Sequence, residues 1–88
     1  MRAVVCKQWG GPENLVIETV SDLLPGPNEV VIEVKAAGVN FPDVLIIQNK
    51  YQMKPTLPFT PGAELAGVIR AVGAEVRHLH VGDAVVAF

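Results

Sequence analysis

Pro61-Gly62-Ala63-Glu64-Leu65-Ala66-Gly67, running on through Gly73 and Val76 to Gly82-Asp83-Ala84-Val85, is the stretch whose reading decides the fold. Four glycines and a recurring acid punctuate an otherwise apolar run. Glycine admits positive φ and close backbone approach, so a series at such intervals reads as strands bent tightly between turns. Leu65 to Val72 is mostly small or β-branched and is bounded by Gly62 and Gly73, a composition with strand character. On residues alone this predicts a curved β structure and says nothing of chemistry.

Composition bounds the answer. The 88 residues suffice for one small domain at most. Half of them are hydrophobic, yet no apolar run approaches the ~18 residues that span a bilayer, so no membrane is expected. Met1 to Gln8 lacks the continuous apolar core of a secretory signal. The single cysteine, Cys6, cannot form an internal disulfide, which suits a reducing compartment and predicts a cytoplasmic location. A net charge of -2 gives no reason to expect nucleic acid. So much Val, Ile and Leu in a short chain predicts apolar surface that meets something beyond these residues.

Working outward, Arg2 to Lys7 reads as a strand ended by the turn signal Gly10-Gly11-Pro12, and Asn14 to Val20 as its hairpin partner. Residues 24–28 form a loop. Val30 to Ala37 alternates, with Ile32, Val34 and Ala36 on an expected core face and Val31, Glu33 and Lys35 on a wet one. Asn40 fits a helix N-cap, Pro42 the first turn and Asp43 the third position of a capping box. Val44, Leu45 and Ile47 supply the apolar side of that short helix, and Asn49 its left-handed stop. Lys54 to Pro61 holds three prolines and reads as a loop, followed by strands over Glu64 to Val72 and Ala84 to Phe88.

Several residue sets invite chemistry. His78 and His80 could share one side of a strand, but no third ligand is near and they read as a surface pair. Residues 62–67 have phosphate-loop glycine spacing, but Val68-Ile69 stands where Lys-Ser/Thr is required. No Gly-x-Gly-x-x-Gly occurs. Asn40 is either the cap of its helix or a hydrogen-bonding contact to a ligand, and Tyr51 is either a cleft residue or a half-buried loop anchor. Asp83, after Gly82, reads as a turn residue.

The spacing of Gly62, Glu64, Gly67, Gly73, Val76, Gly82, Asp83 and Val85 resembles the signature of the medium-chain dehydrogenases/reductases. Ala63 stands where that family's zinc-binding histidine would be, so the chain resembles the zinc-free branch, the NADPH:quinone oxidoreductases related to zeta-crystallin. The match covers essentially the whole chain but only the first part of the family's length. It implies a mainly β fold, a GroES-like, partly open β-barrel with one or two short helices, incomplete at the C-terminus. Residues 1–88 would be the N-terminal part of the alcohol dehydrogenase-like substrate domain, with the nucleotide-binding domain outside this chain.

The resemblance further implies hydride transfer from NADPH to a quinone or enone, without zinc. The family position of Asn40 carries a zinc-ligating Cys in metal-binding relatives and Asn in the quinone reductases. It thus becomes a catalytic and cofactor-facing residue, with Tyr51 beside it as a substrate positioner. Asp43 and Glu64 are supporting residues, and Glu64 is expected to accept backbone N–H bonds near the cleft. Some relatives carry a second Tyr and an Arg in the helix, where this chain has Leu45 and Ile47. NADPH would be held mainly by the absent domain, and a homo-oligomer is expected. The alternative is a non-enzymatic GroES-like assembly or interaction module, which a downstream strand, Gly-rich turn and helix would exclude.

Overall fold

The computed structural model describes all residues, 1–88, and is mainly β. Its strands form two open sheets, one of two strands and one of three, and neither closes into a barrel. The chain groups into two compact units, one of Met1–Ser21 with Val39–Ala63 and one of Asp22–Gly38 with Glu64–Phe88.

In the first unit, β1 (Arg2–Cys6) and β2 (Leu15–Thr19) pair antiparallel, with Val4 opposite Ile17 and Cys6 opposite Leu15. The expected turn is present: Gly10 adopts φ 152° and a single 3-10 turn spans Pro12–Asn14. Asn14 thus closes the turn rather than opening the strand. The 54–61 segment is a loop as expected, but it is tied down. Cys6 and Phe59 exchange backbone hydrogen bonds of 2.8 and 3.1 Å, and the Trp9 and Phe59 rings lie 5.8 Å apart.

The helix α1 (Phe41–Ile47) begins at Asn40, has Pro42 in its first turn, and is followed by Asn49 at φ 60°. Its buried stripe differs from expectation. Asp43, Ile46 and Ile47 are buried, while Val44 and Leu45 are only half-buried. The spacing of positions 43, 46 and 47 is the three- and four-residue repeat of one helix face. Gly10 N–H donates to the Ile47 carbonyl at 2.9 Å, giving one of the helix's orphan acceptors a partner.

In the second unit, β3 (Val30–Ala37), β4 (Leu65–Val72) and β5 (Ala84–Ala87) form an antiparallel sheet in the order β3-β4-β5. The covered face of β3 is not the expected one. The register shifts twice, with Arg70 of β4 unpaired between Val31 and Ile32, and Lys35 of β3 unpaired between Val34 and Ala36. Val31, expected on the wet face, is buried, and Val34, expected in the core, is 49% exposed. Ala36 is also exposed, beside Ala66, which pairs in turn with Val86.

The glycines that punctuate the sequence divide into two kinds. Gly62 (φ 117°) and Gly82 (φ 97°) supply left-handed backbone, and each has open space around it. Gly67 and Gly73 supply clearance. A Cβ on Gly67 would collide with the Glu33 carbonyl, and one on Gly73 with the carbonyls of Gly26 and Pro27. Asp83 is the turn residue expected: its Oδ2 accepts from His80 N–H at 2.9 Å, while its own N–H donates to the His80 carbonyl at 3.0 Å. His78 and His80 lie in the irregular segment before this turn, both exposed, and not on a strand.

Candidate active site

Asn40 and Asp43 are brought together by the first turn of α1. Asn40 is extended (φ -126°, ψ 166°), and its backbone N–H donates to Asp43 Oδ2 at 2.9 Å. Asp43 is buried, so this bond satisfies a carboxylate that would otherwise be costly to hold away from water. Asn40 and Asp43 form a capping box: the Asn40 side chain faces the Asp43 N–H, and Asp43 Oδ2 accepts from the Asn40 N–H. The Asp43 N–H also donates to the Asn40 backbone carbonyl at 3.0 Å. The Asn40 side chain is exposed, and its NH2 group has donors to offer. Its sequence neighbours Val39 and Phe41 are exposed as well, at 85% and 73%.

Tyr51 follows the other end of the helix. Seven residues at ~1.5 Å rise make α1 about 10 Å long, and no hydrogen bond joins Tyr51 to Asn40 or Asp43. Its side chain is half-buried and its hydroxyl has no partner within the chain.

Glu64 departs from expectation. Its carboxylate accepts no backbone N–H; it is the Glu64 backbone carbonyl that accepts, from Gly38 N–H at 3.2 Å. The exposed side chain lies over Gly38, in the space that a Cβ there would need. Sequence reasoning missed this pair, although a glycine directly after a strand is the signal for such an approach.

The apolar depressions lie elsewhere. One of about 400 Å³ runs along the three-stranded sheet past Ala36, Leu65, Val86 and Phe88, with Glu64 at its rim. Asn40, Asp43 and Tyr51 do not line it. No three His, Cys, Asp or Glu side chains converge as metal ligands. Cys6 is buried and donates to the Gln8 carbonyl at 3.3 Å. No helix is long and apolar enough to cross a membrane.

A mainly β fold, glycine-punctuated strands and an asparagine-capped helix define a GroES-like class of domain. Residues 26–88 match the alcohol dehydrogenase GroES-like domain, and the chain belongs to that family. It is 44% identical over 97% of its length to quinone oxidoreductase-like protein 2 of Rattus norvegicus, covering 24% of that protein. To the quinone oxidoreductase of Lama guanicoe it is 43% identical, over 97% of this chain and 26% of that one. The Escherichia coli quinone oxidoreductase complexed with NADPH superposes with a TM-score of 0.92 at 37% identity, over 98% of this chain and 26% of that one. The chain therefore spans about a quarter of the length of the relatives it matches.

Proposed function

We propose that residues 1–88 are the N-terminal part of the substrate domain of a zinc-independent, NADPH-dependent quinone or enone oxidoreductase. The observation that carries this reading is the exposed Asn40 amide. It is held at the head of α1 by its capping box with Asp43, which leaves its NH2 group to donate outward. NADPH, bound mainly by a domain outside this chain, supplies the hydride. Asn40 hydrogen-bonds a carbonyl, whether of the nicotinamide or of the acceptor. Tyr51 lends its ring for packing and its free hydroxyl as a donor to the acceptor oxygen. Without a metal, negative charge developing on that oxygen is met by such donors and by solvent protons. Neither residue is a nucleophile or a general base. Asp43 positions Asn40, and Glu64 accepts from the Gly38 N–H through its backbone carbonyl.

The names of the relatives support the acceptor class, and the E. coli neighbour supports NADPH. Ala63 and Asn40 support the absence of zinc. The active species is the full-length enzyme in the cytoplasm, working as a homo-oligomer. The test is NADPH oxidation by the full-length polypeptide with a simple quinone and a cyclic enone as acceptors, paired with metal analysis after dialysis. Turnover with a quinone and substoichiometric zinc is expected. No turnover with any such acceptor, or stoichiometric zinc with ligands among these 88 residues, would overturn the reading.

A further inference from the structure

We infer that Lys54 is a positioning residue for Tyr51, a clasp that closes residues 49–54 into a fixed loop. The inference rests on the reading of Tyr51 as an acceptor contact. It begins where α1 stops. Asn49 takes the left-handed conformation and donates its N–H to the Ile46 carbonyl at 3.1 Å, and Lys50 N–H returns to the Leu45 carbonyl at 2.9 Å. These two bonds hold the near side of the loop. Beyond them, Tyr51, Gln52 and Met53 belong to no helix or strand, and no hydrogen bond holds them.

The far side is held by one side chain. Lys54 Nζ donates to the Asn49 carbonyl at 3.0 Å and to Asn49 Oδ1 at 3.3 Å, so a single ammonium grips both oxygens of the residue that ends the helix. A cation is favoured there, because the last carbonyls of a helix carry partial negative charge. Pro55 follows and confines Lys54 to extended backbone, which limits the directions from which the side chain can return. Tyr51 sits between the two fastenings. Loss of the clasp would leave the turn after α1 intact but free the segment that carries the ring and its unpartnered hydroxyl.

The sequence offers a clean way to read this. Trypsin cleaves after Lys50, whereas the Lys54-Pro55 bond is resistant because proline follows, so replacing Lys54 removes no cleavage site. Cleavage of a folded protein tracks local opening. In the full-length polypeptide, Lys54→Met should speed cleavage at Lys50-Tyr51 by about 2- to 5-fold, the range expected for a cation at a helix C-terminus. Lys54→Arg should restore the slow rate, and the thermal midpoint should not move. Acceptor KM should rise by a similar factor with NADPH KM unchanged, and Lys54→Met should add nothing in a Tyr51→Ala background. Unchanged cleavage in Lys54→Met, with acceptor KM raised in Tyr51→Ala, overturns the clasp alone. Faster cleavage with unchanged acceptor KM overturns the positioning role. An acceptor KM unmoved by Tyr51→Ala overturns the reading of Tyr51 itself, whatever the cleavage rate.

Discussion

The backbone N–H of Asn40 donates to the buried Asp43 carboxylate at 2.9 Å, and the Asn40 side chain faces the Asp43 backbone as the reciprocal half of a capping box. One residue thus has two tasks. Its backbone and side-chain oxygen fix the helix start, and its NH2 group is left for something else.

That arrangement gives one residue a part in both stability and activity. An N-cap side chain that bonds the helix loses about 1 kcal/mol on replacement by alanine. Because the Asn40 side chain stands in the capping box, Asn40→Ala should cost about 0.5–1 kcal/mol in urea unfolding. In the full-length enzyme the same change should lower kcat/KM by about 100-fold, the scale of one lost transition-state donor. A loss near 1 kcal/mol with unaltered turnover would restore the plain cap reading.

Asp43 should behave in the opposite way. Asp43→Ala removes the acceptor for Asn40 N–H from a buried position, and should destabilise by about 1–2 kcal/mol. Asp43→Asn keeps an oxygen in place and should lose less. Equal unfolding midpoints for wild type and Asp43→Ala would contradict the bond.

The two kinds of glycine predict two kinds of mutant. Gly67→Ala forces a Cβ into the Glu33 backbone carbonyl, and overpacking of this sort costs about 1–3 kcal/mol. Since β3 and β4 pair across that point, the whole three-stranded sheet should loosen. Gly82 has room and needs only its φ of 97°, so Gly82→Asn should be the milder change. Comparison of the two by thermal unfolding checks the order; Gly82→Asn proving the worse would reverse the assignment.

β5 pairs with β4 on one side only, and Val86 on it is 72% exposed. An open, apolar edge invites strand addition by another chain. Residues 1–88 expressed alone should self-associate at tens of micromolar. Val86→Lys should reduce this, because a charge is not cheaply covered. Sedimentation giving a monomer for both would show the edge to be harmless.

Local physics was legible in the sequence. The hairpin turn at Gly10, the box of Asn40 and Asp43, the left-handed stop at Asn49 and the Asp83 turn each depend on contacts within a few residues, and φ preference or side-chain length dictates them. The family resemblance was legible too, through glycines at fixed intervals. Tertiary structure decided what depends on partners far along the chain. Which face of β3 is covered depends on what packs against it, so no inspection of Val30 to Ala37 alone could place Val31 inward and Val34 outward. Burial of Ile46, the Cys6 to Phe59 bridge and the Glu64 carbonyl under Gly38 N–H likewise need two distant segments to meet. Periodicity reports which side of a strand or helix a residue occupies. Which side is covered is set by what packs there, and that is a property of the folded chain.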